Sequence, residues 1–255
     1  MHNKKYLYNR TRLMSESRVA VCVRVRPLSS EEDSGGCSEC ISCNSSIGQI
    51  RVGNINSTSG NDKFFTFDSV FESTTHQGTV FDTCVRPLLA RFLEGYNATI
   101  LAYGQTGSGK TFTMGTAKST TGSIFALSPS DGILPRVAEA LFSSLEEKKS
   151  LYDLQASFIE LYNEDLLDLF KEDGRDEDVR LCEVVHNATS TVEVVGNVSI
   201  QIHNSNDLLN CISKGSLNRA TASTNQNKTS SRSHGIILLF FFFKINKYKF
   251  LSIIS

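Results

Sequence analysis

The sequence predicts an α/β domain, a sheet covered by helices on both faces, and three observations predict it. Short apolar, β-branched runs alternate with stretches of helical periodicity along most of the chain. The octet Gly104-Gln105-Thr106-Gly107-Ser108-Gly109-Lys110-Thr111 lies between one such run and a helix start. The 255 residues, 40% hydrophobic and 21% charged, suit one large folded domain or two small ones.

The elements follow in order. Residues 1–17 are polar and basic and lack the apolar core of a signal peptide, so a disordered lead-in is expected. Residues 19–25 form a β-branched run, a buried strand stopped by Pro27. Residues 29–62 are rich in Ser, Gly, Glu and Asn, with a short edge strand at 49–52 and a second strand at 63–67. Val80, Phe81, Cys84, Leu88 and Phe92 recur at helical spacing, closed by Gly95, with Pro87 as a kink inside. Residues 98–103 read as a buried strand. Residues 119–130 form a low-complexity loop.

A helix is expected over 134–147, with Pro135 in its first turn and Val137, Leu141 and Phe142 on one face. Residues 152–161 form a long strand, and 163–170 an acidic, leucine-rich helical turn. Short strands follow at 179–185 and 192–195. A helix over 205–217 starts near Asp207 and turns Leu208, Leu209 and Ile212 inward. Residues 236–243 are an apolar strand too short to span a bilayer. The Lys-, Ile- and Phe-rich residues beyond it suggest no function.

The octet fits G-x-x-x-x-G-K-[ST] at every position. Its glycines let successive backbone N–H groups point inward at an anion. Lys110 adds a point charge for β- and γ-phosphates, and Thr111 offers a hydroxyl to Mg²⁺, which keeps several waters and needs few protein ligands. A helix opening at 112–114 would face the phosphates with its N-terminal dipole.

Net charge is −1, which gives no overall electrostatic case for nucleic acid or membrane. Seven cysteines, an odd number, point to free thiols in a reducing compartment. Cys37, Cys40 and Cys43 cluster, but no fourth ligand follows at a metal-site spacing, so they read as incidental.

A second motif, Asn227-Lys228-Thr229-Ser230-Ser231-Arg232-Ser233-His234, resembles the switch I segment of kinesin motor domains. Further matches fall in that family's order: Arg24-Val25-Arg26-Pro27, Phe67-Asp68-Ser69-Val70-Phe71, Asn97-Ala98-Thr99, and Glu160-Leu161-Tyr162-Asn163-Glu164. The resemblance covers residues 18–240, with a chromokinesin-type flavour in Gly107-Ser108-Gly109 and Ala222-Ser223-Thr224. It implies a P-loop NTPase of kinesin motor type, with a central mixed sheet flanked by helices, that binds ATP and Mg²⁺ and moves along microtubules (tubulin) in the cytoplasm and cytoskeleton. Ser230 and Ser231 are then expected to meet the γ-phosphate, with Ser231 beside Mg²⁺; Asn227 and Arg232 are expected in the same catalytic set, Arg232 as the cation that the resemblance pairs with a switch II glutamate. Arg24 and Pro27 are expected to flank the adenine. For Phe112, covering the base and packing in the core stand as equal alternatives.

The family's switch II, D-L-A-G-S-E, has no match, and no neck or stalk follows through which dimerisation would be expected. The expectation is therefore a motor domain incomplete at its C-terminus, with a non-homologous tail at 241–255, an unfilled sheet position and exposed apolar faces. Two other readings remain: a nucleotide-binding fragment or interaction module without turnover, and a different P-loop enzyme such as a nucleotide kinase.

Overall fold

The computed structural model describes residues 19–53, 62–116, 127–148, 152–171, 179–186, 189–225, 233–243 and 247–254. The expected lead-in at 1–17 lies outside them. The chain divides into two units, Met1–Ser73 and Thr74–Ser255.

In the first unit, β1 (Cys22–Arg24) leads to α1 (Ser30–Ser34), β2 (Ile41–Asn44), β3 (Gln49–Val52), β4 (Lys63–Thr66) and β5 (Ser69–Phe71). β1 pairs in parallel with β5 in a two-stranded sheet. So small a sheet gives little cover, and the run expected to be buried has Val19 81% exposed. The strand over 49–52 is central rather than an edge, because β2 and β4 pair antiparallel on its two sides. Ser29 and Glu32 close a reciprocal capping box at α1. The Glu32 carboxylate also accepts two hydrogen bonds from Arg26, each 2.6 Å.

The second unit opens with α2 (Gln77–Val80), a π-helical turn (Phe81–Val85) and α3 (Arg86–Leu93). The π turn is how the helix absorbs Pro87, which brings no N–H and crowds the preceding turn. The Arg86 N–H donates five residues back to Phe81, and α3 restarts with the proline in its first turn. Then come β6 (Ala98–Leu101), α4 (Lys110–Met114), α5 (Ile133–Lys148), β7 (Tyr152–Tyr162) and β8 (Asp165–Asp168). The expected helical turn over 163–170 is instead a hairpin. Asn163 and Glu164 both take left-handed φ, 50° and 72°, the geometry of a tight turn matched to strand twist. β9 (Arg180–His186) and β10 (Thr189–Val195) form a separate hairpin, followed by β11 (Ile200–Gln201), α6 (Ser205–Asn225), β12 (Ser233–Phe243) and β13 (Lys247–Ile254).

The main sheet runs β11-β7-β12-β13-β6, with β8 also on β7. It is mixed: β13 lies parallel to β6, and the β7, β12 and β13 pairings are antiparallel. The unfilled position expected from the sequence is therefore occupied. β13 sits between the strand that leads into the octet and β12, and Leu251 and Ile253 are buried at 1% and 2% exposure.

One face of this sheet carries the core. Leu154, Ala156 and Phe158 of β7, Ile237, Leu239 and Phe241 of β12, and Leu251 and Ile253 of β13 join residues of α3, α5 and α6 in one cluster. Tyr152 stacks on Phe241 at 5.5 Å, and Phe92 of α3 meets Phe241 edge-on at 5.7 Å. The other face carries the alternate residues, since side chains change face at every step along a strand. In register these are Ile236 opposite Ile254, and Phe240 opposite Phe250. Phe250 is 42% exposed, and Leu101 of β6, which pairs with Ile254, is 64% exposed. Among the described residues, helical cover is thus found on one face rather than both, and β6, expected as a buried strand, is half-exposed at the sheet edge.

Candidate functional site

The octet begins where β6 ends. Ala102 N donates to Ile254 O, so the parallel pairing of β6 and β13 runs up to the loop. The loop lies at the carboxyl ends of two parallel strands, where α/β sheets hold ligands. Gly107 and Gly109 have φ of 77° and 93°, which only glycine adopts at no cost, and Ser108 N closes a turn on Gln105 O at 3.2 Å. The Lys110 ammonium donates to Gly104 O at 2.8 Å and to Gln105 O at 2.9 Å. The loop thereby folds around its own cation.

α4 is a five-residue helix capped at its start by Gly109. Its first-turn amides have no intrahelical acceptors, although so short a helix carries a smaller dipole than the sequence suggested. Thr106 and Thr111 are exposed, as is Phe112 at 53%, while Met114 is buried in the core. Of the two alternatives for Phe112, core packing is not what the structure shows.

Arg24 and Pro27 lie in the first unit and residues 104–112 in the second. Arg24 is half-buried, and desolvation lowers its pKa from the ordinary value. Pro27 is exposed, and its carbonyl accepts a hydrogen bond from Arg26 at 2.9 Å. Asn227, Ser230, Ser231 and Arg232 lie outside the described residues. The last two positions of their motif, Ser233 and His234, open β12.

There the structure shows a link that sequence reading missed. Arg219 of α6 donates to Glu160 Oε1 at 3.2 Å, to Ser233 O at 2.9 Å and to Ser233 Oγ at 3.1 Å. Glu160 is 4% exposed. The signal was available: Glu160 shares the inward parity of Leu154, Ala156 and Phe158, and such a carboxylate requires a partner. Arg219 follows Leu208, Ile212 and Gly215 on the inward stripe of α6.

Among the described residues, no group of His, Cys, Asp and Glu is arranged to hold a metal. Cys37 and Cys40 are exposed, and the Cys43 thiol is pushed up by burial and by Glu72 and Glu39, which disfavours a thiolate ligand.

A mixed sheet with a glycine-bent, lysine-bearing loop between strand and helix defines a phosphate-loop nucleotide-binding α/β protein. A family model described as the kinesin motor domain matches residues 24–248, which reaches into β13. The chain belongs to the kinesin motor domain family. Kinesin-like protein KIF21B of Homo sapiens is 39% identical over 238 residues, covering 87% of this chain and 14% of its own length. Chromosome-associated kinesin KIF4 of Mus musculus is 38% identical over 225 residues, covering 87% of this chain and 17% of its own. The solved structure of a fast kinesin superposes with a TM-score of 0.80 at 28% identity, over 92% of this chain and 64% of that one. The chain thus spans under a fifth of the length of these curated relatives and about two thirds of the solved motor domain.

Proposed function

We propose that this chain binds Mg-ATP at residues 104–111 and belongs to a microtubule motor ATPase of the cytoplasm and cytoskeleton. The observation that carries the reading is the loop itself: glycine-bent backbone around a Lys110 ammonium held 2.8 and 2.9 Å from two loop carbonyls. Backbone amides of Gly104, Gln105, Thr106, Gly107, Ser108 and Gly109 would cradle the phosphates, and Lys110 would meet the β- and γ-phosphates. The hydroxyl of Thr111, an exposed residue at the start of α4, fits Mg²⁺, which takes one or two protein ligands and retains water. Ser231 is the second proposed ligand. Bound there, Mg²⁺ would neutralise charge on the phosphate oxygens. Ser230 and Ser231 are proposed to read the γ-phosphate, with Asn227 and Arg232 in the same catalytic segment, and Arg24, Pro27 and Phe112 to hold the base. The proposed partner is tubulin. No described helix is long and apolar enough to cross a membrane.

One observation favours a second reading, nucleotide binding without coupled turnover. D-L-A-G-S-E, which the resemblance places on a strand beside the phosphate loop, has no match in the sequence, and β13, the strand found there, carries no part of it. Steady-state ATPase with and without microtubules separates the two. Turnover raised by microtubules supports the motor reading. Tight Mg-ATP binding with turnover that microtubules leave unchanged supports the second, and absence of Mg-ATP binding defeats both.

A further inference from the structure

The helix after the phosphate loop is too short to hold its own C-terminal end. In a continuing helix the Thr116 N–H would donate to Phe112 O. Here both Gly115 N and Thr116 N donate to Thr111 O, at 2.9 and 3.3 Å, as Gly115 turns the chain at φ 82°. The Phe112 carbonyl is met by a side chain from another element. Gln77, the first residue of α2, donates from Nε2 to Phe112 O at 2.7 Å, with a longer contact of 3.4 Å to Ser130 O.

Gln77 is 3% exposed, so its amide is a buried polar group placed to serve these carbonyls. The two carbonyls belong to chain segments on either side of residues 117–126. Those segments cross at Gly115 and Gly132, where a Cβ on Gly132 would meet Gly115 N at 2.3 Å. The return segment is itself braced: Arg136 Nε donates to Asp131 O at 3.0 Å, and Ser128 N to the Asp131 carboxylate at 2.7 Å. α2 therefore ties one residue of α4 to this hydrogen-bonded segment, and that residue is Phe112, which is 53% exposed two positions after Lys110.

We propose that Gln77 is a positioning residue for nucleotide recognition: by holding the Phe112 main chain it sets the Phe112 ring over the base, while the phosphate cradle stands without it. The proposal rests on the reading of Phe112 as the base cover. The cradle is held by its own contacts, Lys110 to Gly104 O and Gln105 O and Ser108 to Gln105 O, none of which involves Gln77. Gln77 should therefore act on the base-dependent part of affinity alone.

The test uses the full chain and two ligands, Mg-ATP and Mg-tripolyphosphate, which share the phosphates and differ in the nucleoside. Gln77→Met keeps shape and apolar bulk and removes the donor. Gln77→Glu keeps shape and sets an acceptor against the carbonyl, and thermal melts establish that each variant is folded. The expected result is a loss of roughly 3- to 10-fold in Mg-ATP affinity, the size of one net hydrogen bond, with tripolyphosphate affinity changed less than about twofold. Phe112→Ala should lower the same ATP-to-tripolyphosphate ratio, and Gln77→Met added to it should lower it no further. Equal losses for both ligands, or none, overturn the role of Gln77. A ratio unmoved by Phe112→Ala overturns the base-cover reading and the proposal with it. A lowered ratio in Phe112→Ala but not in Gln77→Met overturns the proposal alone.

Discussion

Leu251→Ala asks whether β13 belongs to the sheet. Leu251 is 1% exposed, paired with Leu239 on one side and Ala98 on the other, in the cluster shared with α3, α5 and α6. Removing a buried leucine costs about 2–5 kcal/mol, more where neighbours cannot close the cavity. Ala98 is too small to fill it, which places the cost at about 3–4 kcal/mol. For a unit of this size that is a drop of roughly 10 °C in Tm. The adjacent Phe250 faces the opposite way at 42% exposure, and Phe250→Ala should cost about 1 kcal/mol. The chain has no tryptophan, so urea unfolding is followed by far-UV circular dichroism. Leu251→Ala costing no more than Phe250→Ala would refute the pairing, because the alternation of faces would then be absent.

Arg219→Met leaves the buried Glu160 carboxylate without its cation and should cost about 3–5 kcal/mol in urea unfolding, with part of it recovered in Glu160→Met/Arg219→Met. Glu32 is held down to about 2, first by its hydrogen bond from Arg26 and then by that from the Ser29 backbone. Because this lies below the ordinary value of 4.5, its stabilising effect is full above pH 4.5 and is lost as pH falls toward about 2. An NMR titration of Glu32 in Arg26→Leu should show its midpoint rising toward the ordinary value. Leu101→Thr with Phe250→Thr should reduce dye binding by these two exposed apolar side chains of β6 and β13 and raise the soluble concentration, with Tm shifted by no more than a few degrees.

The phosphate loop was legible because its chemistry is local: glycines, a lysine and a threonine at fixed spacing between a strand and a helix start. The long elements β7, α5 and β12 were legible because each repeats its apolar period over many residues. β13 was hidden because its first three residues, Lys247, Tyr248 and Lys249, break the apolar pattern. Yet Phe250-Leu251-Ser252-Ile253 alternates as a strand should, with Leu251 and Ile253 turned inward. The hairpin at 163–164 was misread because Leu166, Leu167 and Leu169 imitate helical spacing, and Asn163-Glu164 lacks the glycine that usually marks such a turn. The contacts from Gln77 to Phe112 and from Arg219 to Glu160 span 35 and 59 residues; the inward parity of Glu160 says that it needs a partner, but no local pattern says which residue supplies it.

Calorimetric titration of the chain with Mg-ATP, beside Lys110→Ala, bears on the nucleotide site itself. Lys110 is the proposed source of the loop's charge-assisted phosphate contact, worth roughly 1.5–3 kcal/mol. The prediction is saturable Mg-ATP binding by the parent and affinity at least about tenfold weaker in the variant, with the Tm of the unliganded protein little changed. Equal affinity in the two proteins, or no binding by the parent, would contradict it.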